Sequence, residues 1–308
     1  MKTKTVLGLL AGLFMVLGAS ANVAWADSLG KIVYERGGDI YIMDDDGTNS
    51  TQLTNSPGYE YNPSFSPDGT RIAYADDVTR QLLIMNLDGS GKTAIYTSHS
   101  PSIGSFVAPA WSPDGSRILF KDGPYNSYDL WTIGVDGTGI IRVTTDGNNF
   151  GGISWSRDGT HILTVRRDNP GDSSSEYLWR LNADGTNYVR LTAGADYPDW
   201  SPDGTKIAQG NGDIYIMNMD GSSSNRITSN PAWEWDPSWS PDGTQIVFGR
   251  EGDLWKMNAD GSGQVQLTST GGIHADWSAP VPEPATMLLL GSGLVGLAGF
   301  RKRFRKHS

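Results

Sequence analysis

The chain carries 34 Asp and Glu, four His and no Cys, so any chemistry must come from carboxylates, imidazoles and hydroxyls. Ten of the aspartates fall into two regular series. Asp68, Asp114, Asp158, Asp203 and Asp242 precede one set of glycines; Asp88, Asp136, Asp184, Asp220 and Asp260 precede another. Asp-Gly pairs form turns, because the Asp side chain bonds nearby backbone and Gly accepts a positive φ, so both series read as turns and not as acid–base groups. The stretch from Asp44 to Ser50 opens like a calcium loop, but it aligns with the second series and lacks the distal glutamate. His99, His161, His274 and His307 form no His-x-x-x-His or His-Glu-x-x-His pair, which leaves no histidine metal centre. There is no Gly-x-Ser-x-Gly elbow, and the lack of Cys excludes disulfides, thiolate metal sites and cysteine nucleophiles. No catalytic set, no metal site and no cofactor is assigned. Asp196, Asp199, Asp236 and Asp276 fall outside both series, and they are where a cation, calcium foremost, would be held.

The elements that position these residues follow from a repeat. A first phrase runs Pro-Ser-Phe-Ser-Pro-Asp-Gly from Pro63 and returns from Pro109, Ile153, Pro198 and Pro237. A second, apolar and ending in Asp-Gly, follows each, and a short segment such as Arg-Ile-Thr-Ser closes the unit. The aromatic of the first phrase falls at Phe65, Trp111, Trp155, Trp200, Trp239 and Trp277, an interval of 38 to 46 residues, which is the size of a propeller blade. Each unit reads as four short strands, the Asp-Gly turns making hairpins and the strands apolar on both faces where small sheets are sandwiched between neighbours. The last phrase, His274-Ala-Asp-Trp-Ser278, supplies only one strand. The three it lacks stand at the other end: Lys31–Glu35, Asp39–Asp45 and Thr51–Thr54. The expected fold is all-β, a six-bladed β-propeller of four-stranded blades over residues 27–280, its ring closed by N-terminal strands joining the last C-terminal strand.

At these phrases the chain resembles the repeat of TolB-like, WD-type propellers, over residues 29–278. Arg157 departs from the pattern by replacing the turn Pro. TolB proteins carry a further α/β domain ahead of the propeller, to which no residues here correspond, so their role in the envelope is not carried over from the resemblance.

Both ends read as addresses. Residues 1–26 have a basic start, an apolar run from Val6 to Gly18 and the small triplet Ala24-Trp25-Ala26, the pattern of a secretory signal peptide. Residues 281–308 contain Pro282-Glu283-Pro284, an apolar run Met287–Phe300 and a basic cluster from Arg301. This end resembles the PEP-CTERM sorting signal. The resemblance implies recognition of Pro282, Glu283 and Pro284 by an exosortase-type enzyme, temporary membrane attachment through a C-terminal helix, and export through the inner membrane of a Gram-negative bacterium to the periplasmic side and then to the cell surface or extracellular matrix, in a setting of biofilm and exopolysaccharide.

Between residues 27 and 286 stand 17 Lys and Arg against all 34 Asp and Glu, a formal charge of −17, which repels a phosphate backbone and argues against nucleic acid. A binding surface remains. Of the 11 Trp, one lies in the signal segment and eight occupy repeated core positions, leaving Trp233 and Trp235. With Glu234 and Asp236 they fall on the rim opposite the Asp-Gly turns, as do Tyr59, Glu60, Tyr61 and Tyr197. Aromatic faces beside carboxylates and amides suit sugar rings or a protein partner. The expected function is a surface-sorted, non-enzymatic propeller that binds extracellular polysaccharide or envelope proteins. The alternatives are a metal-dependent polysaccharide-acting enzyme and a passive matrix or scaffold component.

Overall fold

The computed structural model describes residues 30–98, 108–124, 127–169 and 175–278; the signal segment, the sorting segment and Tyr125 lie outside them. Each Ser-x-Asp-Gly phrase closes a hairpin in the way its composition requires. Ser66 Oγ donates to Asp68 Oδ1 at 2.6 Å and accepts the Arg71 N–H, while Asp68 Oδ1 also accepts from Thr70 N and Oγ1. Ser112, Ser156, Ser201 and Ser240 repeat this with Asp114, Asp158, Asp203 and Asp242. These bonds favour the ionised acid and hold all five carboxyls below their usual range, Asp158 down to about 2. The closing phrase has its own job. The hydroxyls of Thr54, Thr144, Thr228 and Thr268 accept the backbone N–H of Ile40, Leu130, Ile214 and Leu254, which turns the chain out of its outer strand. That is why the outer strand of the closing blade is Thr51–Gln52 and stops short of Thr54.

The hairpins assemble into six antiparallel sheets of four strands. Blades 1 to 5 span residues 60–97, 110–142, 149–193, 196–226 and 234–266. Blade 6 is built from both ends of the chain: Ile273–Ser278 pairs antiparallel with Lys31–Arg36, with Lys31 opposite Ser278 and Ile32 opposite Trp277. Asp39–Asp44 and Thr51–Gln52 complete it.

There is one apolar cluster at each blade-to-blade contact. Phe65 joins Val33, Ile40 and Tyr74 between blades 6 and 1. Trp111, Trp200, Trp239 and Trp277 take the equivalent place in four further contacts, all at most 6% exposed, and Trp155 packs into the sixth. At the outer end of each contact the glycine of the second turn meets the neighbouring blade. A side chain at Gly185 or Gly261, both at positive φ, would run into the carbonyl of Val143 or Ile227. The five tryptophans of the first phrase and the glycines of the second Asp-Gly series are therefore packing devices.

Candidate functional site

The six inner strands line a central channel, and a bulge shapes its upper half. In blades 1, 4, 5 and 6 the register of the inner strand slips. The residue three places before the core aromatic there takes a left-handed conformation: Asn62, Tyr197, Asp236 and His274, with φ of 52°, 38°, 56° and 50°. A bulge of this kind re-aims a side chain, and these four line a cavity of about 130 Å³ that opens at the rim opposite the Asp-Gly turns. One layer down stand Ser64, Ala110, Ser154, Asp199, Ser238 and Asp276. Below that layer the channel widens toward the turn rim, where Pro67, Pro113, Pro241 and Arg157 surround it. The departure at Arg157 thus puts a guanidinium where three other blades have a proline ring.

The two lower aspartates tie blades together. Asp199 accepts the Trp239 N–H from blade 5 at 3.0 Å and the Ser154 hydroxyl from blade 3 at 3.2 Å. Asp276 accepts the Phe65 N–H from blade 1 at 2.7 Å and the Ser238 hydroxyl from blade 5 at 3.4 Å. Burial nevertheless raises both carboxyls, Asp276 to about 6.

The upper half holds a charged group that crosses the ring. His274 Nδ1 lies 3.0 Å from Glu35 Oε2, and its ring packs 5.0 Å from that of Tyr197. Burial disfavours the charged imidazole, but Glu35 and Asp236 together outweigh it and raise the His274 pKa. Lys121, only 5% exposed, donates to the Gly151 carbonyl; burial pulls its ammonium down to about 8 against the opposing pull of Asp196. Asp196 is itself raised by burial and by Glu176. Burial, reinforced by Asp196, Asp199 and Glu35 and opposed by His274, pushes the Asp236 carboxyl up to about 7. Its Oδ2 is buried with no hydrogen-bond partner. Perturbed groups of this kind gather at functional sites. Among the described residues no three His, Asp or Glu converge to hold a metal ion, so Asp196, Asp199, Asp236 and Asp276 share the channel without forming a cage.

The rim candidates divide. Tyr59 and Trp233 occupy equivalent places in blades 1 and 5, and both are 61% exposed. Each lies against a glycine of the preceding blade, Tyr59 on Gly38 and Trp233 on Gly212. The next residue in each case fixes the loop, Glu60 N donating to Gly38 O and Glu234 N to Gly212 O. Their side chains turn inward, which corrects the expectation that both acids face the rim. Glu60 is 3% exposed and accepts from Thr54 and Ser56; Glu234 is fully buried against Arg250. Trp235 is half-buried across Gly249, its backbone against Gly210, and Tyr61 packs into the cluster between blades 1 and 2. Sequence reasoning missed Glu35, His274 and Lys121. His274 had a signal, since it aligns with Asn62, Tyr197 and Asp236 in a column that varies between constant neighbours; Glu35 and Lys121, on second strands, had none.

Residues 32–209 and 194–289 match the family model described as the TolB beta propeller domain. The chain belongs to that family. This TolB-like propeller also matches the PEP-CTERM protein-sorting motif over residues 280–303, which implies export and exosortase-type sorting. It is 38% identical over 82 residues to the Protein TolB homolog of Chlorobium luteolum and 34% identical over 111 residues to that of Chlorobaculum tepidum. Those matches cover 25% and 35% of this chain but only 18% and 24% of the relatives. Among solved structures, TolB from Acinetobacter baumannii superposes with a TM-score of 0.68 at 24% identity, over 82% of this chain and 67% of that one. A chain of a nidogen/laminin complex gives 0.68 at 13% identity, over 82% and 99%, and an oligogalacturonate lyase in complex with manganese gives 0.51 at 16%, over 74% and 70%. At these identities the neighbours share the fold, and nothing more is carried from them to this chain. Among the described residues no helix is long and apolar enough to cross a membrane.

Proposed function

We propose that this TolB-like propeller is a non-enzymatic binding protein of the cell surface or extracellular matrix, and that its ligand is an extracellular polysaccharide held on the rim opposite the Asp-Gly turns. The observation that carries this reading is the pair Tyr59 and Trp233. Two large rings stand 61% exposed at equivalent places, one at the contact of blades 6 and 1 and one at that of blades 4 and 5, each resting on a backbone glycine that can offer it no hydrophobic cover. Sugar C–H faces stack on such rings while hydroxyls find the polar groups of the mouth. The PEP-CTERM match supports delivery to the place where such polymers are met. The membrane is then a temporary station, left once an exosortase-type enzyme has processed the tail.

The test is calorimetry of the purified protein against the host's exopolysaccharide. Trp233→Ala should weaken binding at least tenfold with thermal stability unchanged; binding that survives both Trp233→Ala and Tyr59→Ala refutes the rim reading. An envelope protein would use the same aromatic anchors, and it becomes the reading if a surface pull-down is Trp233-dependent while glycans give no heat. Catalysis has one observation in its favour, the perturbed group at Lys121, Asp236 and His274. It requires turnover of a polysaccharide, and the metal-dependent version requires loss of that turnover on chelation.

A further inference from the structure

The upper channel contains a charge that its own protein leaves unmatched. Five carboxylates contribute to the channel field, Glu35, Asp196, Asp199, Asp236 and Asp276, against His274, Lys121 and Arg157. Four of the five are accounted for. Glu35 is committed to His274, Asp199 and Asp276 to backbone N–H groups and serines, and Asp196 is exposed to solvent. Asp236 alone keeps a buried oxygen without a partner, on a backbone held in the left-handed region. A carboxylate without a donor in so enclosed a place is costly, and although Oδ2 itself is shut off from solvent, a cation in the cavity that Asp236 lines offsets part of the cost. A bare divalent ion does not fit as a caged ion, because no three His, Asp or Glu converge among the described residues. An organic ammonium does: it brings three N–H donors and a positive charge, and it needs one carboxylate plus neutral acceptors. Asn62 and Ser64, Ser154 and Ser238 line the same cavity, and the Tyr197 ring offers a face beside the acid.

We propose that the upper half of the channel is a subsite for the free amine of an amino sugar, with Asp236 as its counter-ion, so that the glycan on the rim is one containing N-deacetylated hexosamine. This rests on the polysaccharide reading and narrows it. An inserted lysine side chain shares the ammonium chemistry, but the exposed Tyr59 and Trp233 rings on the same rim favour a sugar chain that continues out of the channel. Lys121 does not oppose the site, since its ammonium is held at the Gly151 carbonyl. The charged neighbours that Asp236 faces are His274 and Glu35 from blade 6 and Asp196 and Asp199 from blade 4.

The experiment is calorimetry at pH 7 on the purified protein, with a glucosamine tetramer and an N-acetylglucosamine tetramer as probes. The free amine should bind at least tenfold tighter than the acetylated form. Asp236→Asn, a neutral isostere, should abolish that preference while its melting temperature shows an intact fold. Equal binding of the two tetramers, or a preference that persists in Asp236→Asn, overturns the proposal. So does a lysine-containing peptide that binds in an Asp236-dependent way when glucosamine does not. The two readings fail separately. Neutral glycan lost in Trp233→Ala but indifferent to Asp236→Asn leaves the rim site and removes the channel subsite. Asp236-dependent binding of glucosamine, with no effect of Trp233→Ala, does the reverse.

Discussion

Replacing Asp236 by asparagine should make the protein more stable, and increasingly so as the pH rises. The folded carboxyl titrates at about 7, against 3.8 for the unperturbed group. A carboxyl whose folded pKa is raised binds a proton more readily when folded, so folding is favoured at low pH and loses stability as the acid is forced to ionise in its buried place. The loss begins near the unfolded pKa, accumulates between about 4 and 7, and is complete above the folded pKa. At ~1.4 kcal/mol per pKa unit, the full span is about 4 kcal/mol, and the part falling between pH 5 and pH 8 is roughly 2.5 kcal/mol. Asparagine keeps the shape and removes the titration. Urea unfolding of wild type and Asp236→Asn at pH 5, 6, 7 and 8 measures this directly. The stability difference should widen in favour of the variant by about 2–3 kcal/mol across the series, with similar m values. Parallel pH profiles for the two proteins would mean that the Asp236 carboxylate is solvated or already paired, and the account of an unmatched channel charge would fail.

Other perturbations test the scaffold. Trp200→Ala removes a ring that is 1% exposed between blades 3 and 4 and should cost about 3–5 kcal/mol in urea unfolding, whereas Trp233→Ala should stay within ~0.5 kcal/mol. Arg250→Met strands the fully buried Glu234, and a loss of roughly 3–5 kcal/mol is expected; the double variant with Glu234→Gln should recover much of it, as a double-mutant cycle will show. Gly185→Ala combines a positive φ with a clash at the Val143 carbonyl and should lower stability by more than ~1 kcal/mol, visible as a fall in melting temperature.

The repeat made the ring legible because its turn chemistry is local: a Ser two residues before an Asp-Gly bonds within its own hairpin, so the same letters give the same turn in five blades. The closing blade was legible for a complementary reason, as one phrase lacked three strands that the other end supplied. The channel was legible only in part. Asp196, Asp199, Asp236, Asp276 and Tyr197 stood out as departures from the repeat. Which of them is satisfied depends on the neighbouring blade, as with Asp199 and the Trp239 N–H, and a single chain position does not reveal that partner. Glu60 and Glu234 failed for a related reason. Each follows an exposed aromatic and reads as rim, yet Thr54, just past an outer strand, and Arg250, on a second strand, draw the two carboxylates inward.

The closure of blade 6 also orders events in time. Lys31 cannot meet Ser278 until the chain between them has been made and exported, so the first strand, Lys31–Arg36, waits with one edge unpaired while five blades form beside it. An unpaired edge is a template for any other strand. The nascent protein therefore depends on its own last strand arriving before another copy's does, and crowding at the export site should favour rings that borrow Ile273–Ser278 from a neighbour.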